Sequence, residues 1–302
     1  MHCVINVAGV DIRIEGRLLR LARLERQRYE GLSDPEAVIA GLRQCGRRVD
    51  LFTFMQRLPE VQPRYSYPME WDNLAVLPIS TFDHWWKKQV DAKTRNMVRK
   101  AEKQGVKLRE VPFGDALVKG IWEIYNETPY RQGKRFPHYG KDIETVYKEE
   151  ATHLDRSVFI GAFLGEEMIG FIKLVEDDTR TETSLINIVS LIRHRDKAPT
   201  NTLIASAVRA CADRRIPYLV YSKFAYGKRQ RDTLSDFKKN NGFERVDLPR
   251  YYVALTLTGW SAFRLGLHHR AFEFVPGSIV TKFRELRAAW NSRKARPMVE
   301  AS

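Results

Sequence analysis

Between Ser157 and Leu257 the chain alternates apolar runs and polar turns in an order that few folds can accommodate. "SVFIGAFL" reads as a strand, "GEE" as a tight turn and "MIGFIKLVED" as a second strand, which together make a hairpin. "TSLINIVSLI" is a third strand. The amphipathic helix "TNTLIASAVRACADRR" follows, then the strand "PYLVYSKF", the helix "TLSDFKKNNGF" and the closing strand "RYYVALTLT". The order β-β-β-α-β-α-β predicts an α/β (α+β) fold, a mixed sheet with flanking helices. A polar turn between a short apolar strand and a helix is also where such folds bind phosphate. The helix N-terminus there offers free amides and the positive end of its dipole.

Upstream, residues 1–80 read as a small N-terminal α/β unit with a connector. "CVINVAGVDIRIEG" suggests two short strands around a glycine turn, and "GRLLRLARLE" a third. "SDPEAVIAGLRQCG" has the grammar of a helix, with Ser33 or Asp34 as cap, Pro35 at the first helical position and Gly46 as stop. "RVDLFTFMQRL" follows as a buried strand. The segment "PEVQPRYSYPMEWDNLAVLP", Pro59 to Pro78, is expected to be a packed connector. Each Pro removes a backbone donor, while Tyr65, Tyr67 and Trp71 anchor it.

Residues 81–258 form the main expected domain. It opens with a helix from Thr81 that bends within, then the strand "GVKLREV", the helix "DALVKGIWEIYNE" and the long loop "TPYRQGKRFPHYGKD". A helix from Ile143 to Leu154 leads into the first hairpin strand. Residues 259–302 are a basic amphipathic tail that either packs on the body or touches an anionic membrane surface.

Charge narrows the partners. Lys and Arg number 51 against 37 Asp and Glu, a formal net charge of +14, which favours polyanions: RNA, DNA, anionic lipid or phosphorylated small molecules. The three cysteines, Cys3, Cys45 and Cys211, are scattered outside any metal or redox spacing. They point to a reducing compartment, with no disulfide framework and no metal site. The N-terminus lacks a basic region followed by an apolar block, and no apolar run is long enough to span a bilayer, so a cytoplasmic location is expected.

The stretch "KTRNMVRKAEKQGVKL" concentrates basic charge on one helix. Thr94, Met97, Val98 and Ala101 recur at helical spacing and would face a core, leaving Arg95, Arg99, Lys100 and Lys103 outward. Gly105 suits the left-handed position that ends a helix.

With these elements in order, the chain resembles the GNAT superfamily of acyltransferases over about Ser157 to Leu257, and in layout from Thr81 onward. "FIGAFLGEEMIGFIKL" is similar to the superfamily's central hairpin and "FKKNNGFERV" to its late helix-to-strand signature. Arg95, Asn96, Arg99, Lys100, Ala101, Lys103, Gly105 and Val106 resemble a run found in Fem-type peptidyltransferases and in related acyltransferases of bacterial polysaccharide clusters. Fem-type enzymes carry GNAT-like domains and add amino acids to cell-wall precursors using aminoacyl-tRNA. The resemblance implies an N-acyltransferase acting on an amine of a small molecule or cell-envelope precursor, with acyl-CoA or aminoacyl-tRNA as donor. A non-catalytic GNAT-like module that binds RNA or another polyanion stays open beside it.

The resemblance also implies where the chemistry would sit. Backbone amides near Val189, Ser190 and Leu191 would border the acyl group, where the third core strand splays from its parallel neighbour. The coenzyme A turn of the superfamily is matched by "RDKAPT", Arg195 to Thr200, with Ala198 and Thr200 in place of both glycines and Pro199 lacking an amide. Lys197 can supply charge there, and Thr200 or Asn201 can cap the next helix. His194 and Asp196 are the nearest titratable proton acceptors. Phe237 and Lys238 stand where the family often has a Tyr general acid, which leaves Tyr221 and Tyr226 as substitutes.

Two loops supply cations for a phosphate-bearing substrate or donor. Arg131, Lys134, Arg135, His138 and Lys141 alternate with Tyr130, Phe136 and Tyr139, a mixture suited to an anionic group beside a planar one. Lys223, Lys228, Arg229 and Arg231 bracket Tyr226. Replacing Arg131 and Lys134 by Ala is expected to weaken binding and spare stability. Lys100, Arg131, Lys197 and Lys228 are expected to converge on one concave face.

Overall fold

The structure, a computed structural model, describes residues 2–27, 30–225 and 233–269. Tyr226, Lys228, Arg229, Arg231 and the tail beyond residue 269 lie outside the described residues.

The chain begins with β1 (His2–Val7) and β2 (Val10–Glu15), an antiparallel hairpin turning through Ala8 and Gly9. β3 (Leu21–Leu24) adds to β2. α1 (Pro35–Gln44) starts where Asp34 accepts a hydrogen bond from the Ala37 amide, with Pro35 in its first turn. β4 (Leu51–Met55) is buried along its length. The second half of the Pro-rich segment departs from the expected connector: it is the ten-residue strand β5 (Met69–Pro78). Its prolines stand at the two ends, Pro68 and Pro78, where a missing donor does least harm to the ladder.

α2 (Phe82–His84) runs into a π-helical turn, Trp85–Gln89, and α3 (Ala92–Lys103) restarts under an Asp91 cap, which is the expected bend. Thr94, Val98 and Ala101 are its buried positions. Next come β6 (Val106–Glu110) and α4 (Asp115–Tyr125). The long loop carries a small hairpin, β7 (Tyr130–Arg131) and β8 (Lys134–Arg135), ahead of α5 (Ile143–Glu150). The remainder follows the order read from the sequence. It comprises β9 (Ser157–Leu164), β10 (Glu167–Glu176), β11 (Glu182–Ser190), α6 (Pro199–Asp213), β12 (Tyr218–Val220), α7 (Thr233–Asn240) and β13 (Glu244–Ala254). A short helix, α8 (Leu257–Arg264), ends the described chain.

Among the described residues, eleven strands form one mixed sheet in the order β1-β2-β3-β4-β13-β5-β12-β11-β10-β9-β6. The expected boundary at residue 80 falls just after β5, yet β5 pairs with β12 on one side and β13 on the other, both from beyond it. A large core gathers Trp85, Val98, Ile121, Phe171 and Leu203 around the later strands, and a second one gathers Ile39, Phe52, Phe54 and Tyr251 beneath α1.

Alternation along β10 and β11 assigns the two faces. Gly170 lies against Leu203 of α6, whereas Phe171 meets Tyr125 of α4 and Lys173 meets Glu150 of α5. Successive side chains of a strand point to opposite faces, so α6 covers one face and α4 with α5 the other. On β13, Tyr252 meets Phe263 of α8, and Arg250 shares its face. Asp72 binds Arg250, so the α8 face of β13 continues along β5. Gly259 lets α8 sit directly on β4, since a Cβ there would come within 1.7 Å of the Asp50 carbonyl oxygen.

Candidate active site at a parted strand pair

β11 and β12 run parallel for three residue pairs, Glu182–Tyr218, Thr183–Leu219 and Ser184–Val220, and then part. β12 ends at Val220, while β11 continues to Ser190 along β10 alone. At the point of parting, β11 carries a bulge: Leu174 faces Leu185 and Lys173 faces Asn187, which leaves Ile186 as the extra residue. From Ile186 to Ser190 the strand is only half-buried.

The ladder decides which amides face this opening. Leu191 N donates to Ile169 O at 2.9 Å, which makes the Ser190–Gly170 pair a non-hydrogen-bonded one. A glycine at 170 suits such a close pair, because a Cβ there would come within 3.0 Å of Ser190 Cβ. The amides of Ser190 and Ile188 are therefore turned away from β10 toward the open edge, while those of Val189 and Leu191 are turned to β10. Of the three amides expected at the reaction centre, the register aims Ser190's outward and adds Ile188's.

The end of β11 is held from both sides. Arg131 donates to Ser190 O at 2.6 Å, to Ile124 O at 2.8 Å and to Glu127 at 3.2 Å. Glu127 in turn accepts the amides of Ile192 and Arg193, at 2.7 and 3.0 Å. Ser190 Oγ lies 3.1 Å from Thr200 Oγ1 at the start of α6. Between them, residues 192–197 form 3₁₀ turns, and Ala198 takes the left-handed conformation at φ 47° and ψ 43° before Pro199. That is a glycine's conformation on a residue with a Cβ. α3 packs beside this turn, with Met97 Sδ 3.6 Å from Asn201 Nδ2. Arg95 is committed to the carbonyls of Trp86 and Val90, and Arg99 lies over the Trp86 ring.

At the apex of the parting, on the face away from α6, a cavity of about 180 Å³ opens between strands β4, β13, β5, β12 and β11. Its walls carry Glu182, Arg57, Asp72, Arg250, Lys223 and Ser184. Arg57 pairs with Glu182, and Arg250 and Lys223 pair with Asp72 at 2.8 and 3.1 Å. Burial pushes the Glu182 carboxyl up to about 7, against the pull of Arg57 and with a push from Asp177. Burial also acts to raise Asp72, but Arg250 and Lys223 outweigh it and hold that carboxyl below its ordinary value. Two buried carboxylates thus sit in one cavity with opposite proton affinities.

The remaining expected residues are distributed around this centre. His194 hydrogen-bonds Glu167 at 3.0 Å, and Asp196 pairs with Lys197 at the same distance. His138 stacks on the buried Tyr125 ring at 4.3 Å, and burial, then Lys141, lower its pKa. Lys141 is paired with Glu149 at 2.6 Å. Lys134 and Arg135 are exposed, as is Lys100. Tyr221 is half-buried beneath the Lys238 ammonium, which lies 4.7 Å from its ring centre, and Lys238 itself is fully buried. Asn201 is buried and accepts from Asn241 at 3.4 Å. Reasoning from sequence passed over Glu182, Arg57, Asp72 and Arg250, whose meeting depends on pairings such as Arg57–Glu182, 125 residues apart. It also passed over a buried network in which Tyr125 and Asn187 each hydrogen-bond Glu150 at 2.9 Å beside the buried Lys173.

No protein-family model and no curated protein matches the chain. Solved structures do match in shape. The C-terminal domain of a protein assigned as a lysylphosphatidylglycerol synthetase from Agrobacterium fabrum superposes with a TM-score of 0.56 at 12% identity, covering 88% of each chain. L-PGS from Bacillus licheniformis gives 0.58 at 14% identity, covering 87% of this chain and 88% of that one. FemX gives 0.54 at 11% identity, covering 88% and 89%. The fold is GNAT-like, with similarity to the Fem type. No helix among the described residues is long and apolar enough to cross a membrane.

Proposed function

We propose that this protein transfers an aminoacyl group from a phosphate-bearing ester donor to an amine at the opening between β11 and β12. The observation that carries this reading is the parting of the two strands after Ser184, with the amides of Ile188 and Ser190 turned to the open edge. The acceptor nitrogen attacks the ester carbonyl, a carbon–nitrogen bond forms, and the carbonyl oxygen gathers negative charge. Fixed N–H donors stabilise that charge without reorganising. On collapse the carbon–oxygen bond of the ester breaks, and the proton lost by the amine is delivered to the leaving oxygen.

An aminoacyl donor fits better than acyl-CoA on two counts. The turn that would cradle a pyrophosphate has a Cβ at 198 and lacks an amide at Pro199. The cavity carries both carboxylates and guanidinium groups and is below the roughly 300–1,000 Å³ of ordinary ligand pockets, suited to a small charged group rather than an aliphatic chain. The net charge of +14 supports tRNA as the carrier of that ester. Among the similar structures, the name lysylphosphatidylglycerol synthetase describes lysine joined to a phospholipid, and an acceptor in the cell-envelope class is in keeping with it.

A panel of labelled aminoacyl-tRNAs and acyl-CoAs, each offered with amine acceptors, tests the reading. Label should move from at least one aminoacyl-tRNA. Transfer from acyl-CoA alone would overturn the donor assignment. RNA binding that falls steeply with salt, with no transfer from any donor, would replace the enzyme by a polyanion-binding module.

A further inference from the structure

Glu70, near the start of β5, is approached by two imidazoles from the residues that follow α8. Nε2 of His268 and Nε2 of His269 each lie 3.1 Å from the same oxygen, Oε1. The rings are 4.1 Å apart, and the three prospective donor atoms lie within 4.8 Å of one another. Around a tetrahedral zinc ion with ligands at about 2.0–2.1 Å, neighbouring ligand atoms are roughly 3.3 Å apart. We infer that Glu70, His268 and His269 form a binding site for a divalent transition-metal ion, zinc above all, which fastens the exit of α8 to β5.

Three features of the surroundings support a metal over a plain hydrogen-bonded cluster. The His268 side chain is only 3% exposed, so its Nε2 is held beside Glu70 away from bulk water. Glu70 also keeps its charge for the histidines. Arg250 stands opposite it in the β13–β5 register but sends its guanidinium to Asp72, at 2.9 and 2.8 Å. Finally, the donors are already oriented. Tyr252 hydrogen-bonds Glu70, and the rings of Tyr252 and Phe263 wall His268 at 4.7 and 5.0 Å. Outer groups of this kind fix ligands and keep water from a metal site.

Two imidazoles and a carboxylate select zinc and its first-row neighbours over calcium and magnesium, which prefer all-oxygen sets. Three protein ligands leave a fourth position for water or another group. Sequence spacing gives no hint of the site, because Glu70 and His268 are 198 residues apart.

Titration calorimetry of the full chain without any histidine tag, using zinc and then calcium, tests the site. One equivalent of zinc should bind saturably and calcium should not. At a hundredfold excess over Kd, zinc should raise Tm by about 5 °C. Cobalt should bind with the visible bands of a four-coordinate ion. His269→Gln, at the more exposed of the two histidines, and Glu70→Gln should each lower zinc affinity at least about tenfold and abolish the cobalt bands. Absence of saturable zinc binding, or stoichiometric binding that both variants leave unchanged, would overturn the assignment.

Discussion

Nη1 of Arg131 donates a 2.6 Å hydrogen bond to the carbonyl oxygen of Ser190, so the first cation of the long loop is tied to the last residue of β11. The guanidinium also meets Ile124 O and Glu127, which in turn holds the amides of Ile192 and Arg193. Arg131→Ala should therefore destabilise the fold by about 2 kcal/mol, since it strands buried acceptors. Lys134→Ala, at an exposed site, should leave stability unchanged and weaken binding of an anionic donor. Urea unfolding of both variants checks the contrast. An Arg131→Ala protein as stable as wild type would return this residue to ligand binding.

Glu182→Gln removes a buried carboxyl whose proton affinity burial raises, so stability should depend on pH differently in variant and wild type. A carboxyl raised from 4.5 to about 7 on folding contributes stability below about 4.5 and loses it as pH rises through 7. Denaturation of wild type and variant at pH 5 and pH 8 should show the wild type losing ground at the higher pH.

Ala198→Gly should stabilise by about 0.5 kcal/mol. It relieves a left-handed alanine costing about 1–2 kcal/mol, less the entropy that glycine adds to the unfolded chain. A calorimetric Tm that falls instead would mean that the Ala198 side chain, 8% exposed, contributes more by packing than its backbone costs.

Lys173→Met should cost about 3 kcal/mol, because it leaves Glu150 buried without its cation. Burial already raises the Glu150 carboxyl and lowers the Lys173 ammonium, so each depends on the other to remain charged. Adding Glu150→Gln should recover more than half of the loss. A double-mutant cycle with no coupling would show the two to be independent.

Much of the fold was legible because local chemistry marks it. Asp34 with Pro35 starts α1, and Gly105 follows the end of α3 at φ 86°. The three strands before α6 are apolar runs bounded by polar turns, distinct enough to set their order. β5 was not legible, because Pro68 and Pro78 mark its ends with the residues that elsewhere mark loops. The parted strands were foreseen, yet the orientation of each amide depended on a bulge at Ile186 that no local pattern announces. Glu182 was missed for a different reason. Its raised proton affinity comes from burial, against the pull of Arg57, and both exist only after the sheet brings the segment following β4 to β11. Arg131 was read as a ligand contact because its acceptors are carbonyls, which carry no sequence signature.

The opening between β11 and β12 can be probed most directly by photolabelling. An aminoacyl ester donor with a diazirine in its acyl group would be irradiated on the full chain and the labelled peptides mapped by mass spectrometry. Label should fall within residues 182–190 and 218–225 and should be competed away by unlabelled donor. Competable label confined to other segments, such as β1 to β3 or α1, would contradict an acyl site between the parted strands.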